Sequence, residues 1–295
     1  MRHYPDDLRA MLKKITASLA YRLPAVYKQL LRYKKCRAQI PEQNPSLVIL
    51  MMTGKQYLTM TRLALISIVK SWQSIPSLII MSDGSISTDR ISKALNFWPG
   101  KISVETWGDT AAYHLQKNRL ALVQYGNIHP FGKKLAAILR YAAQGPVMWI
   151  DSDILFFNDL TPFIPQAPGG FFCGGTEDFT AAYHEPVLKF YNNDIYRLYK
   201  FNAGLLYVHG DRIYEDFRLE QLIASIHPDY DFCTEQTIFA HIASTSAGLL
   251  WTRDMIKTFN NDNQQIRAMP VNKVVARHYT SNVRHLFWRD AFFRL

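Results

Sequence analysis

Short apolar segments alternate with segments of helical periodicity along most of the chain. From Ser46 onward, the segments SLVIL, SLIIM and PVMWI are typical of buried strands, and ISVET is a further strand candidate. Helical patterns cover about 57–72, 91–97 and 132–144 between them. Because strands that alternate with helices usually form a parallel sheet covered on both faces, the pattern predicts an α/β fold with a mixed, mostly parallel sheet.

The first 45 residues follow a different pattern. Apolar residues recur there at helical spacing, at Leu8, Met11, Leu12, Ile15 and Leu19. A second helical stretch covers 25–33, and Pro41 and Pro45 then indicate a linker. We therefore predict a basic helical extension over 1–45 and a main domain over 46–295. The extension either packs on that domain or lies on a membrane surface.

Composition and charge narrow the class of protein. The chain has 295 residues, of which 48% are hydrophobic, and this is typical of a globular domain. No apolar run approaches the roughly 20 residues that span a bilayer, and three scattered cysteines argue against a disulfide framework. These features predict a cytoplasmic protein. The net charge of +10 predicts an anionic partner, which is nucleic acid, a phosphorylated ligand or an acidic membrane surface.

The segment WIDSDILFF places Asp151 and Asp153 at the end of a predicted central strand. Ligands of open α/β sheets bind outside the carboxyl ends of the strands, and side chains two residues apart point to the same side. Two adjacent carboxylates suit Mg²⁺ or Mn²⁺, which they would share with the phosphates of a nucleotide. A turn with capping aspartates is the alternative, because D-x-D alone is a weak motif.

Four further segments occur in a telling order: FGKKLAAIL before WIDSDILFF, and FNAGLLYV, TEQTIFA and HYTSNVR after it. With them, residues 46 to 288 resemble the metal-dependent nucleotide-sugar glycosyltransferases of GT-A fold, most closely glycosyltransferase family 8. The resemblance implies a Rossmann-like GT-A catalytic domain. Ser281 and Arg284 stand where the family commonly has glycine and lysine, and Glu235 replaces a more common aspartate.

The resemblance also implies roles for individual residues. The implied ligands of a Mn²⁺ or Mg²⁺ ion are Asp151, Asp153 and His278. The implied catalytic residues are Gln236 and Asp153. The implied donor-binding residues are Asp151, Lys134, Asn202 and Arg284, with Lys133 as the alternative to Lys134. Position after the first two predicted strands adds Thr53, Tyr57 and Asp83 as donor contacts.

The implied reaction is sugar transfer from a nucleotide sugar, a UDP-sugar, to a glycan or lipid-linked glycan acceptor. Enzymes of family 8 retain the anomeric configuration, so retention is expected. A divalent ion and a guanidinium would stabilise the charge on the departing diphosphate. If the reaction instead inverts, a carboxylate base is required, and Glu177 and Asp178 are the candidates.

A basic and aromatic segment ends the chain. Helical spacing relates Trp288, Ala291, Phe292 and Leu295, with Arg289 and Arg294 beside them. Two interpretations stay open at this point. Either these side chains pack in the core, or they join the basic N-terminal segment in holding the enzyme on an anionic membrane that carries the acceptor.

Three other classes of protein compete with this reading. A haloacid-dehalogenase-like phosphatase would use Asp151 and Asp153 with the later acidic segment GDRIYED, but Ile154 departs from the threonine or valine typical there. A sugar-phosphate nucleotidyltransferase needs a glycine-rich loop after the first strand, where MMTGKQY has one glycine. A nucleic-acid binder is disfavoured because the sequence has no recognisable binding motif, so no nucleic-acid partner is predicted.

Overall fold

The computed structural model describes residues 23–36, 42–166, 170–192, 200–259, 273–280 and 283–295. The predicted helical stripe from Leu8 to Leu19 lies outside the described residues, and so does Ser281. None of the helices in the described ranges has the length and hydropathy needed to cross a bilayer.

Strands and helices alternate through most of the described chain. The strands are β1 (Glu42–Thr53), β2 (Ser74–Ser82), β3 (Ile102–Thr106), β4 (Val147–Ile150), β5 (Ile154–Phe156), β6 (Phe172–Glu177), β7 (Phe201–His209), β8 (Gly248–Trp251), β9 (Ile256–Phe259) and β10 (Ala276–Tyr279). The α-helices are α1 (Pro24–Leu31), α2 (Leu58–Ser71), α3 (Thr88–Leu95), α4 (Trp107–Gln116), α5 (Leu120–Ile128), α6 (Pro130–Ala142), α7 (Glu185–Phe190), α8 (Ile213–Asp216), α9 (Leu219–Ser225), α10 (Thr234–Ser244) and α11 (Arg284–Arg294).

Seven strands form the main sheet in the order β3-β2-β1-β4-β7-β6-β8, and a small sheet has the order β5-β10-β9. Neighbours in the main sheet are parallel except around β7, which runs antiparallel to β4 and β6. The start of β7 therefore lies at the edge where the other strands end. The predicted mixed, mostly parallel sheet is confirmed.

Both faces of the main sheet are covered, because successive residues of its strands point to opposite sides. In β1, Leu50 belongs to the core cluster that contains helices α5, α6, α9 and α10. Its neighbours Ile49 and Met51 belong to the cluster that contains α2, α3 and the small sheet. This explains why the central strands are apolar at nearly every position rather than at alternate ones.

The predicted elements match the observed ones, with one difference at the start of the sheet. The helical patterns at 57–72, 91–97 and 132–144 correspond to α2, α3 and α6. Strand β1 begins at Glu42, inside the predicted extension and its proline linker. It does so because Glu42 already pairs with Ser74 of β2, with an irregularity in the pairing between Asn44 and Val48.

The two ends of the described chain pack on each other. Leu31 of α1 is buried in a cluster with Phe287 and Trp288 of α11. The C-terminal stripe is therefore mostly core, since Trp288, Ala291 and Leu295 are buried. Only Phe292 of that stripe is exposed, together with the neighbouring Phe293, at 38% and 65%.

The acidic segment GDRIYED occupies the wrong edge of the sheet for a phosphatase site. It follows β7, whose Val208 pairs with Val147 at the beginning of β4. Asp151 follows the other end of β4. Because β7 is antiparallel to β4, the segment lies across the sheet from Asp151 and Asp153 and cannot complete a site with them. The structure does not favour the phosphatase alternative.

Candidate active site

Polar side chains converge in a cavity of about 270 Å³ at the edge where β4 ends. Seven predicted site residues line it: Lys134, Asp151, Asp153, Asn202, Gln236, His278 and Arg284. They come from α6, the loop after β4, β7, α10, β10 and α11. The antiparallel direction of β7 is what brings Asn202 to this edge.

Strand pairing places His278 next to the two aspartates. Strand β5 begins directly after Asp153 and pairs with β10, where His278 lies opposite Ile154. The Nε2 atom of His278 lies 3.2 Å from Oδ1 of Asp153 and 4.0 Å from Oδ2 of Asp151. One potential ligand atom from each of these three residues lies within 4.8 Å of the others.

The carboxylates and the imidazole alter each other's protonation. Burial disfavours the ionised form of Asp153, but His278 and Arg284 outweigh it and lower the pKa of this carboxyl. Burial likewise disfavours the charged form of His278, but Asp153 and Asp151 outweigh it and raise the pKa of the imidazole. The carboxylates therefore favour the protonated imidazole, and the imidazole favours the ionised form of Asp153.

Arg284 is the second cation on Asp153. Its Nη2 and Nε atoms lie 2.8 and 3.2 Å from Oδ2 of Asp153. Its guanidinium also lies 5.7 Å from the ring centre of Tyr57. The side chain of Arg284 is 36% exposed, whereas that of Asp153 is buried. A partly exposed guanidinium next to a buried carboxylate is able to bind an anion that enters the cavity.

Lys134, rather than Lys133, is the lysine of the cavity. Its side chain is 3% exposed, and its Nζ donates to the carbonyl oxygen of Ala203 at 2.8 Å. The same Nζ lies 3.5 Å from Oδ1 of Asp151 and 3.4 Å from Oε1 of Glu235. Lys133 instead donates to the backbone carbonyl oxygen of Asp83. The structure thereby separates two lysines that the sequence leaves as alternatives.

Glu235 is a buried residue whose carboxyl group has a raised pKa. Burial raises its pKa to about 7, Lys134 opposes that rise, and Asp151 adds to it. For Lys134, burial disfavours the charged form, but Asp151 and Glu235 outweigh it and raise the pKa. One buried ammonium thus lies between two carboxyl groups, those of Asp151 and Glu235.

Two amide side chains are fixed by backbone hydrogen bonds at the start of β7. Asn202 accepts a hydrogen bond from the N–H of Gly204 at 2.8 Å. Gln236 accepts one from the N–H of Ala203 at 3.3 Å and donates to the carbonyl oxygen of Ala182 at 2.9 Å. Both side chains therefore have defined positions on the cavity wall.

The two carboxylates considered as bases for an inverting reaction differ in position. Asp178 lines the cavity and accepts a hydrogen bond from Asn202 at 2.8 Å. Glu177 does not line it and instead accepts from the N–H of Arg253 at 3.1 Å. Of these two carboxylates, only Asp178 is in position to meet a ligand in this cavity.

Gly204 makes room for the imidazole of His278. A Cβ atom at position 204 would lie 2.3 Å from Cε1 and 2.8 Å from Nδ1 of His278, which is closer than real atoms approach. The carbonyl oxygen of Gly204 also accepts a hydrogen bond from the N–H of Asp151 at 2.8 Å. One glycine therefore sets the positions of both Asp151 and His278.

Three predicted donor contacts lie outside this cavity. The hydroxyl of Thr53 is buried and shares a hydrogen bond with that of Thr61. The carboxylate of Asp83 accepts hydrogen bonds from Ser85. Tyr57 faces Arg284 without lining the cavity. Position after a strand places these residues near the correct edge, but it does not determine where their side chains point.

Three residues in or beside the cavity were not singled out from the sequence. Trp149 donates from Nε1 to Oδ1 of Asp151 at 2.6 Å, and its ring centre lies 5.2 Å from Nζ of Lys134. Its position two residues before Asp151, on the same side of the strand, was the available signal. Trp149 does not itself line the cavity, whereas Phe131 and the exposed Phe232 do, and no sequence pattern marks these two.

Asp151, Asp153 and His278 form a group that fits a divalent cation. Two carboxylates face the same ring nitrogen, and the three donor atoms are close enough to share one ion. Carboxylate oxygens suit Mg²⁺ and Mn²⁺, and imidazole is a common ligand of transition-metal ions. Gly204 leaves the ring the space that this arrangement needs.

Comparison with known proteins identifies the fold. No family model matches the chain, and no curated protein matches it by sequence. The galactosyltransferase LgtC, solved with donor and acceptor sugar analogues, matches with a TM-score of 0.54 and 16% identity over 84% of this chain and 96% of LgtC. Mouse xyloside xylosyltransferase 1 matches with a TM-score of 0.53 and 11% identity over 82% and 99% of the two chains.

A third similar structure is the apo form of the glycosyltransferase GlyE from Streptococcus pneumoniae TIGR4. It matches with a TM-score of 0.52 and 14% identity over 84% of this chain and 60% of GlyE. The chain has the GT-A fold of these glycosyltransferases, so the predicted fold class is confirmed.

Proposed function

We propose that this protein is a metal-dependent glycosyltransferase that transfers a sugar from a UDP-sugar to a glycan or lipid-linked glycan acceptor, with retention of configuration. The observation that carries the proposal is the group Asp151, Asp153 and His278 beside Arg284, in a cavity at the carboxyl edge of a GT-A sheet. LgtC, which has a similar fold, was solved with donor and acceptor sugar analogues. That complex supports a sugar donor and a sugar acceptor for this chain as well.

The proposed cation is Mn²⁺, with Mg²⁺ as the alternative. Asp151, Asp153 and His278 would hold it, and when bound it would stabilise negative charge on the diphosphate of the donor. Mn²⁺ accepts a mixed set of oxygen and nitrogen ligands more readily than Mg²⁺, which prefers oxygen.

The side chains around this group supply the remaining positive charge. Arg284 can grip phosphate oxygens with two parallel hydrogen bonds and so stabilise the leaving diphosphate. Lys134 holds Asp151 from the buried side and contributes positive potential where the donor would lie. Asn202 also lines the cavity and would contact the donor sugar.

Gln236 is the proposed catalytic residue next to the anomeric carbon. Its amide is fixed by two backbone hydrogen bonds, so it would present a constant surface to the donor. A further solved structure is a variant of LgtC in which an active-site glutamine is changed to glutamate, and it matches this chain with a TM-score of 0.51 and 15% identity. It supports a glutamine at such a site. In a retaining transfer, the departing phosphate oxygen would accept the acceptor proton, and Asp178 would be the base only if the reaction inverts.

We also propose that the acceptor is met at an anionic membrane surface on the cytoplasmic side. The supports are the net charge of +10 and the exposed Phe292 and Phe293. Sedimentation with vesicles rich in anionic lipid at low salt tests this association, because electrostatic binding weakens as salt increases. If the protein stays in the supernatant, the proposed surface is wrong.

A panel of nucleotide sugars with Mn²⁺ tests the main proposal. We expect a UDP-sugar to raise the Tm and to be hydrolysed slowly, and chelation of the metal to abolish both effects. Asp153→Asn should lower hydrolysis at least about 100-fold, because it removes a cation ligand and the carboxylate partner of Arg284. Asp216→Asn is the matched control, since this exposed aspartate lies in GDRIYED across the sheet.

Two results would count against this proposal. One is full donor turnover, in the presence of chelator, by a folded variant with asparagine at both 151 and 153. The other is release of phosphate from phosphomonoesters without any dependence on nucleotide sugars, which would instead favour the phosphatase.

A further inference from the structure

A second cavity lies between the N-terminal segment and two helices of the main domain. Its volume is about 510 Å³, which lies within the range of roughly 300–1,000 Å³ found for small-ligand sites. Cations from three separate segments line it: Arg32, Lys35, Arg62 and Lys93. No carboxylate of the described residues lines this cavity. Within the described ranges, it shares no lining residue with the candidate active site.

Arg62 is the fixed cation of this second cavity. Its guanidinium donates to the carbonyl oxygens of Leu31 and Lys34 and lies 5.7 Å from the ring centre of Phe97. A guanidinium has five N–H donors, so donors remain for a ligand after these contacts are made. Because the group is already held in place, little side-chain entropy is lost when an anion binds to it.

Lys35 and Lys93 are exposed cations at the rim of the same cavity. The four positive charges around this cavity repel one another, and an anion bound between them would offset that repulsion through its attraction to each cation. Thr59 and Asn96 also line the cavity and add a hydroxyl and an amide as neutral hydrogen-bond donors. The lining thus offers donors on several sides and no anion of its own.

The number of cations favours a phosphate over a carboxylate as the ligand group. A phosphate monoester carries close to two negative charges and three acceptor oxygens, and arginine binds it bidentately. We infer that this second cavity is a binding site for a phosphate group, separate from the candidate active site.

The phosphate has two possible sources, a soluble phosphorylated compound and a lipid headgroup. Tyr33, which lines the cavity next to Arg32, is 73% exposed, so an aromatic ring stands where a lipid chain would lie. Leu58 and Thr59 of the lining directly follow Tyr57, which faces Arg284 of the candidate active site. A phosphate bound here would therefore lie beside the start of helix α2.

Binding of the full chain to two probes tests this inference. The probes are inorganic phosphate, measured by calorimetry, and phosphatidylcholine vesicles with or without phosphatidic acid, measured by sedimentation. Both assays are run in EDTA, at constant ionic strength and without nucleotide sugar, so failure of the proposed glycosyltransferase activity does not affect the result. The double variant Lys35→Gln with Lys93→Gln removes two exposed cations of the cavity without touching the fixed Arg62.

The matched control is Lys101→Gln with Lys117→Gln, which removes two exposed lysines that do not line the cavity. We expect the cavity variant to bind phosphate or phosphatidic acid at least about tenfold more weakly, because two of the four cations are removed, and the control to stay within about twofold of the wild type. A tenfold change corresponds to about 1.4 kcal/mol. Selective loss in the phosphate arm assigns a soluble ligand, and selective loss only with phosphatidic acid assigns a lipid. Equal losses in both variants, or binding in neither arm, would overturn the inference.

Discussion

At the scale of single residues, Gly204 and His278 depend on each other. The ring of His278 occupies the space that any side chain at position 204 would fill. The Nε2 atom of His278 faces both Asp151 and Asp153, so a shift of the ring would separate the three potential metal ligands. The candidate metal site therefore depends on the lack of a side chain at position 204 of β7.

Gly204→Ala should weaken Mn²⁺ binding by about tenfold or more and lower the unfolding free energy by about 1–3 kcal/mol, because the added methyl group displaces the imidazole. Titration with Mn²⁺ and urea unfolding measure the two effects. Gly145→Ala is the control, since a Cβ there meets nothing within 4 Å. Equal Mn²⁺ affinity in both variants would show that His278 does not need this space.

Gln236 is the residue whose role is most open to a direct test. We expect Gln236→Ala to lower kcat by about tenfold or more while the KM for donor changes by less than about threefold, because its amide is proposed to act near the reacting carbon. Gln144→Ala is a suitable control, since the exposed Gln144 also donates to a backbone carbonyl but far from the cavity. Unchanged turnover in the folded Gln236 variant would remove this residue from the proposed mechanism.

At the scale of the elements, His114 joins helix α4 to helix α6. It is fully buried, and its Nε2 lies 2.9 Å from the carbonyl oxygen of Ala136. Its Nδ1 lies 3.5 Å from the guanidinium of Arg119, which can only donate. The imidazole is thus neutral with its proton on Nε2. Burial lowers its pKa to about 4, the bond to Ala136 opposes this, and Arg119 adds to it.

This histidine should make the fold sensitive to acid. Its pKa is lower in the folded chain, about 4, than the unperturbed value of about 6.5, so the unfolded chain binds more protons between these pH values. The unfolding free energy should therefore fall as the pH decreases through this range, by up to about 3 kcal/mol. His114→Gln keeps a donor for Ala136 but does not titrate. Urea unfolding at several pH values should show a steeper loss in the wild type, and parallel curves would contradict this assignment.

At the scale of the whole molecule, the described part of the N-terminal extension is attached to the main domain. Helix α1 contributes Leu31 to a cluster with Phe287 and Trp288 of α11 and with Leu63 of α2. Helices α1 and α11 thus cover the same helix, α2. This packing also positions one wall of the second cavity, since Arg32 directly follows α1 and Lys35 comes shortly after it.

Leu31→Ala should lower the unfolding free energy by about 2–4 kcal/mol, because it leaves a void in this cluster. The adjacent Leu30→Ala is the matched control and should change it by less than about 0.5 kcal/mol, since Leu30 is 57% exposed. Urea unfolding measures both. Equal effects of the two substitutions would mean that α1 does not pack on the domain in solution.

Local sequence was sufficient for the alternating elements and for the pair Asp151 and Asp153. The strands are apolar because both faces of the sheet are covered, and this leaves a signal in consecutive residues. The roles expected for His278, Asn202 and Gln236 came from the resemblance of whole segments. The structure places these side chains in one cavity with the aspartates, while their roles in the reaction remain proposals.

By itself, the sequence determined the α/β class, the order of strands β1 to β4 and the position of the acidic pair, because these depend on residues that are neighbours along the chain. Tertiary structure alone decided that Lys134 and not Lys133 enters the cavity, that Gly204 faces His278, and that GDRIYED lies across the sheet. Those outcomes depend on the direction and register in which distant strands pair. Periodicity within one segment carries no information about either.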